Sequence, residues 1–229
     1  MIKQRVAAIT IGQSPREDMT EDSFARLPAD LEIVEYGVLD PFTKDEAIKR
    51  FSPGSGDDVL VSRLRDGSQI RLAEKAVTGL LQAAIHQAEK EGAAVILLLC
   101  TGEFPGLQHG KPLIAPLPLL HGTARALAGG RKIAVLIPDP AQVEPSKRRW
   151  RESGLEALVV AASPYEDITK VERAAASLRG SGAALLCLDC IGYTVAMKGL
   201  AARASGLPTL LPRTLMSAIT AEFLSRHPF

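Results

Sequence analysis

The sequence predicts an α/β fold with mainly parallel sheets, built as a duplicated unit with an insertion in its first copy. Three observations carry that prediction. Short apolar runs alternate along the chain with segments of helical spacing. Two of those runs, Ala93-Ala-Val-Ile-Leu-Leu-Leu99 and Ala183-Ala-Leu-Leu-Cys-Leu188, each deliver a cysteine at their carboxyl end, Cys100 and Cys190, with Gly102 and Gly192 close behind. The strand–helix pattern then starts afresh at Lys132.

Each element has a local reason. Residues 6–11 form a first strand that ends in Gly12-Gln13-Ser14-Pro15-Arg16. Ser14 reads as a helix cap with Pro15 at the first helical position and Glu17 and Asp18 in the first turn, giving a helix to about Leu27. Residues 31–36 are a second strand, and Thr43 with Glu46 is a capping box for a short helix. Asp66-Gly67 between residues 59–64 and 69–72 predicts a β-hairpin. Apolar residues at 76, 77, 80, 81, 84 and 85 predict a helix over 73–91, before the buried strand 95–99. Residues 102–118 are rich in glycine and proline and read as loop, with a short strand at 113–115. A helix over 119–127 stops at Gly129-Gly130.

The second pass predicts strands at 133–137, 158–161, 183–188 and 209–211, and helices at 141–152, 167–178, 194–204 and 213–225. Aligned on Ile11 with Ile137 and on the two cysteines, the first copy is longer by about the length of residues 43–72. In parallel α/β sheets ligands bind beyond the carboxyl ends of the strands. Both cysteines fall there, with Gly12, Gln13 and Ser14 of the first copy and Pro138 and Asp139 of the second.

Composition narrows the function. Of 229 residues 46% are apolar and the net charge is +1, which offers no electrostatic case for nucleic acid or a membrane surface. No apolar run approaches the roughly 18 residues of a membrane span. Basic residues before the run 6–11 outline a signal peptide, but no A-x-A site follows, so the run is expected to be a strand and the protein cytoplasmic. Three cysteines argue against a disulfide framework and fit reducing conditions.

Cys187-x-x-Cys190 formally matches a redox or zinc half-site, yet Cys187 lies inside its strand and no second pair exists. Cys187 is expected in the core. His86, His109, His121 and His227 show no metal spacing. The basic run 147–151, flanked by Glu144 and Glu152, reads as a solvated helix face. Gly12-Gln13-Ser14-Pro15 lacks the lysine of a P-loop, and there is no G-x-G-x-x-G, so neither metal nor nucleotide cofactor is expected.

Two thiols facing each other can take a proton from one face of a carbon acid and return one to the other. One must then be a thiolate, and a free cysteine of pKa about 8.5 is mostly protonated at neutral pH. Backbone N–H groups and a helix N-terminus would favour the thiolate and hold a substrate carboxylate. Thr101, Ser14 and Thr194 offer hydroxyls and Arg16 a charge, while Gly102 and Gly192 admit a ligand close to the backbone.

Thr10-Ile-Gly-Gln-Ser-Pro-Arg16, Leu64-Arg-Asp-Gly67 and Leu188-Asp-Cys-Ile-Gly192 together resemble the AroM family, within the aspartate/glutamate and hydantoin racemase superfamily. The resemblance spans nearly the whole chain. It implies two pseudo-symmetric flavodoxin-like lobes with an inter-lobe cleft. Residues 1–116 with 213–229 would form the first lobe, on which the last helix packs back, and 117–212 the second. It further implies a cofactor-independent racemase or isomerase of a small carboxylic acid. Cys100 and Cys190 would be the acid and base, with Gly12, Gln13, Ser14, Arg16, Thr101, Gly102, Pro138, Asp139, Ile191, Gly192 and Tyr193 around the substrate. A single-cysteine decarboxylase or isomerase, or a non-catalytic carboxylate sensor, is the alternative. A homodimer stays open. Amino-acid racemases usually carry Asn-Thr after the first cysteine and Thr-Glu after the second, where this chain has Thr101-Gly102 and Ile191-Gly192.

Overall fold

Val6, Ala7, Ala8 and Ile9 are fully buried, because the strand that holds them is covered on both faces. The computed structural model describes residues 4–20 and 22–224, and the chain divides into two units. The first contains the described residues up to Pro116 and from Arg213 onward, the second Leu117–Pro212. In chain order the first unit runs β1 (Gln4–Thr10), α1 (Glu17–Thr20), β2 (Leu31–Gly37), α2 (Lys44–Phe51), β3 (Val59–Arg63), β4 (Gln69–Ala73), α3 (Glu74–Lys90), β5 (Val95–Leu98) and β6 (Leu113–Ile114). Its sheet has the order β2-β1-β5-β6, all pairs parallel, and β3 and β4 form a separate antiparallel hairpin.

The capping box of α2 is present: Glu46 N donates to Thr43 Oγ1 at 3.3 Å and Thr43 N to Glu46 Oε2 at 2.8 Å. The long helix α3 buries Val77, Leu81, Ile85 and Ala88 against the sheet, following its apolar spacing. The helix expected from Ser14 to Leu27 is instead the single turn α1 and a 3-10 turn at Phe24–Arg26. Ser14 does not cap it, because Asp40 takes both its N–H and its hydroxyl, at 2.8 and 2.5 Å.

The second unit continues with α4 (Pro116–Ala128), β7 (Ile133–Ile137), α5 (Val143–Glu152), β8 (Ala157–Ala161), α6 (Ile168–Ala176), β9 (Leu186–Leu188), α7 (Val195–Ser205) and β10 (Thr209–Leu210), and α8 (Pro212–Leu224) follows. The helix α4 starts earlier than expected, since Pro116 and Pro118 both fit a first turn whose N–H groups have no helical partner. A 3-10 turn, Pro140–Gln142, precedes α5. The last helix was expected to reach Ser225, which lies outside the described residues. Among the described residues no helix is long and apolar enough to cross a membrane.

The second sheet has the order β8-β7-β9-β10, again parallel throughout. Both sheets therefore place their second strand beside the first, then the third and fourth. The hydrogen bonds repeat as well. Leu99 N donates to Ile9 O at 2.7 Å, and Asp189 N to Leu136 O at 2.8 Å. Val38 N donates to Thr10 O at 3.0 Å, and Ala162 N to Ile137 O at 2.8 Å. Thr10 thus corresponds to Ile137 and Ile11 to Pro138, a shift of one residue from the alignment expected of the sequence.

Candidate functional site

Strand alternation decides which thiols reach the loop end of each sheet. Ile96, Leu98 and Cys100 share one face and one apolar cluster of the first unit. In the second unit Leu186, Leu188 and Cys190 share a face, while Leu185 and Cys187 point the other way, among Ile133, Val135 and Trp150. Cys187 is fully buried, and its pKa is pushed well above the usual thiol value by burial and then by the charge of Asp189. It is a core residue, as its place within the strand implied.

Cys100 and Cys190 stand two residues beyond the third strand of their sheets. Both are buried, at 7% and 5% exposure, so burial does not separate them from Cys187; position does. Each sulfur accepts a backbone N–H from the glycine two residues on, Gly102 at 3.2 Å and Gly192 at 3.4 Å. A donor aimed at sulfur favours the thiolate over the thiol. The two Cys-x-Gly loops share this hydrogen bond and their place beyond the third strand.

The glycines also make room for neighbouring protein groups. A Cβ on Gly102 would lie 2.8 Å from Leu60 Cδ2 of the hairpin and 3.1 Å from the Phe104 ring. On Gly192 it would strike the Tyr165 phenol and come within 2.9 Å of Pro164 Cγ. On Gly12 it would strike Arg63 O and Ser62 Oγ of the hairpin. These glycines admit other parts of the protein. Leu60, Phe104, Pro164 and Tyr165 are the site neighbours that sequence reasoning missed. The one signal for the last two was their position just past a predicted strand.

The polar residues of the first motif are likewise engaged. Gln13 Nε2 donates to Phe42 O at 2.9 Å and Leu39 O at 3.4 Å, and its Oε1 accepts Arg65 N at 2.9 Å. Gln13 N donates to Arg63 O at 3.2 Å. Arg65 donates from Nε to Ser14 O at 2.7 Å and pairs with Asp40 at 3.1 Å. The motifs 10–16 and 64–67 are thus two sides of one joint, which docks the hairpin on the loop after β1. Arg16 is 1% exposed and grips Asp18 through Nε and Nη2 at 2.8 and 2.7 Å, with Nη1 on Thr10 Oγ1 at 3.2 Å.

In the second unit Asp139 is buried and its Oδ1 accepts Ala141 N at 2.9 Å, capping the turn after Pro138. Ile191 is buried and Thr101 half-buried. Tyr193 is fully buried, and its hydroxyl donates to Ala162 O at 2.6 Å. Burial, then the charges of Cys190, Asp189 and Tyr165, hold that phenol well above its usual pKa, so it stays neutral. Thr194 Oγ1 accepts Met197 N at 3.2 Å and caps α7, whose first turn follows Cys190 closely. Among the described residues no group of three or more His, Cys, Asp or Glu side chains is arranged to hold a metal ion.

Solved structures share this fold. Allantoin racemase from Klebsiella pneumoniae superposes with a TM-score of 0.62 at 14% identity, over 97% of this chain and 88% of that one. The maleate isomerase Iso from Pseudomonas putida S16 gives 0.64 at 12%, over 96% and 92%. Arylmalonate decarboxylase gives 0.61 at 16%, over 98% and 94%. At such identities the likeness is one of fold. A search of curated protein sequences finds no match. The model of the family described as AroM protein matches residues 6–224, which carry both Cys-x-Gly loops and the hairpin joint: the chain belongs to the AroM family.

Proposed function

We propose that this protein is a cofactor-independent racemase or isomerase of a small carboxylic acid, with Cys100 and Cys190 as its acid–base pair. The observation that supports it is the matched setting of the two sulfurs, each two residues past a third strand and each accepting a glycine N–H. In the reaction one thiolate takes the proton from the carbon beside the carboxylate, leaving an enolate-like carbanion. The opposite thiol gives its proton to the other face. The roles reverse with the enantiomer. Thr101, Ile191, Pro138, Asp139 and the start of α7 are the groups that surround the carboxylate in this reading. Gly12, Gln13, Ser14 and Arg16 position the loop and hairpin, and Tyr193 fixes the turn below Cys190.

One asymmetry favours a second reading, a single-cysteine decarboxylase or isomerase. At corresponding positions Leu99 precedes Cys100 and the buried Asp189 precedes Cys190. One experiment separates the two. The protein and its Cys100→Ser and Cys190→Ser variants are incubated in D₂O with both enantiomers of a panel of carboxylates, and Cα–H loss is followed by NMR. Two-cysteine chemistry expects each variant to lose exchange of one enantiomer. Loss of all turnover in one variant with none in the other selects the single-cysteine reading. Ligand binding that survives both substitutions, with no washout in wild type, makes the protein a sensor.

A further inference from the structure

The helices α4 and α5 pack on the face of the second sheet that holds Cys187, opposite the cluster of Cys190. Their seam gathers polar groups that the proposed reaction does not use. Trp150 of α5 is fully buried in one cluster with Leu120, Ala124 and Ala128 of α4, and the His121 ring lies on its indole with centroids 4.1 Å apart. Beside them is a cavity of about 200 Å³, lined by Pro118, His121, Gly122, Arg125 and Ser153. The basic run 147–151 is therefore more than a solvated face: Arg149 is half-buried. Burial, then the charge of Arg149, lowers the His121 pKa to about 4, so this imidazole is neutral at pH 7. Among the described residues no group accepts a hydrogen bond from Trp150 Nε1 or Arg149 Nε, and both nitrogens are buried. An indole and a guanidinium only donate, so what this seam calls for is an acceptor. Neither Arg125 nor Arg149 pairs with a carboxylate among the described residues, and the residues lining the cavity include no acid.

We infer that the seam of α4 and α5 binds a phosphate dianion, as inorganic phosphate or as the phosphate group of a small monoester, through Arg125, Arg149 and the neutral His121. Two guanidinium charges balance the two charges of such an anion, and their planar forks match its oxygens. A monocarboxylate would leave one of the two cations unbalanced. Gly122 keeps the cavity wall open, since a Cβ there would meet no atom within 4 Å. All these residues belong to the second unit, and the site needs neither Cys100 nor Cys190. It therefore stands or falls separately from the acid–base reading.

The test uses the full chain with isotope-labelled tryptophan. Trp150 is the only tryptophan, so its indole N–H gives a single NMR signal. Inorganic phosphate and phenyl phosphate are titrated separately at constant ionic strength, with chloride as the balancing ion, and calorimetry measures the affinity. The expected result is an indole shift that saturates by about 10 mM ligand. Arg125→Gln and Arg149→Gln should each weaken binding at least about tenfold, the loss of one charge-assisted contact, and Arg125→Lys less so. Gly122→Glu sets a carboxylate beside Arg125 at a helix position with room for it, and should abolish binding without lowering the melting temperature. That variant keeps the test decisive where Arg149→Gln fails to fold. Tighter binding of phenyl phosphate assigns the site to a monoester, and equal or weaker binding assigns it to the free ion; each supports the inference. No saturable shift with either probe overturns it. So does a shift that chloride reproduces, or one that survives both Arg125→Gln and Gly122→Glu, since these mark an adventitious ion only.

Discussion

Gly192 shows how one absent methyl group organises a site. A Cβ there would collide with the Tyr165 phenol and press on Pro164, and Gly192 N is also the donor to Cys190 Sγ. Overpacking of this kind costs about 1–3 kcal/mol, because either the ring or the backbone must move. Gly192→Ala should therefore lower stability by about that amount in urea denaturation. Adding Tyr165→Ala should return most of it, a coupling that two independent sites would not show. Additive losses would mean the ring yields without strain. At this scale the sequence was informative about the cysteines and silent about their neighbours. The place of Cys187 inside an apolar run and of Cys190 two residues past its end settled their faces through strand alternation alone. Nothing local to Phe104 or Tyr165 says which glycine each ring will cover, since that depends on where separate loops meet.

The hairpin is the element that sets the first copy apart from the second. Asp66-Gly67 made it legible, and it forms with Gly67 at φ +84°, a conformation glycine adopts without penalty. Its docking was not legible. The family resemblance implies that Gln13 lies around the substrate; in the structure its amide spans Leu39 O, Phe42 O and Arg65 N, groups from two other loops. Ser14 had the composition of a cap and became a partner of Asp40 instead, because cap preferences are local and Asp40 lies across the β2 turn. Gln13→Ala would leave those backbone groups without their partner, at about 1–3 kcal/mol. The loss should be regional. Hydrogen exchange at the amides of Leu64, Arg65 and Gly67 should accelerate strongly while amides of β7 and β9 keep their protection. Uniform acceleration in both units would show that the joint serves global stability and not the hairpin.

At the scale of the chain, the duplication was readable because parallel strands buried on both faces leave continuous apolar runs, and two sets of them recur in order. The return of α8 to the first unit is held in part by charge, which leaves no periodic trace. Arg213, with no exposed surface, donates from Nη1 to Asp18 O at 2.6 Å and Asp22 Oδ2 at 3.1 Å, and Ser23 and Ser217 hydroxyls meet at 2.6 Å. Asp18 thereby ties its own loop, where Arg16 also grips it, to the hairpin through Arg63 and to α8 through Arg213. Burial alone would raise its pKa; the hydrogen bond and charge of Arg16, then the charges of Arg213 and Arg63, more than offset that and lower it to about 2. A carboxylate depressed from 3.8 to about 2 contributes about 2 kcal/mol of stability, fully present above pH 4 and lost as the pH falls through 2. Glu35, whose pKa is raised chiefly by burial, works in the opposite sense, so the contribution is best read as a difference between proteins. Asp18→Asn should cost about 3–5 kcal/mol at neutral pH, because it leaves the buried guanidinium groups of Arg16 and Arg213 without their common anion. The stability gap between wild type and variant, measured by urea denaturation from pH 7 to pH 2, should hold steady to about pH 4 and then close by about 2 kcal/mol. A gap that stays constant down to pH 2 would show that hydrogen-bonding shape, not the charge of Asp18, holds the last helix in place.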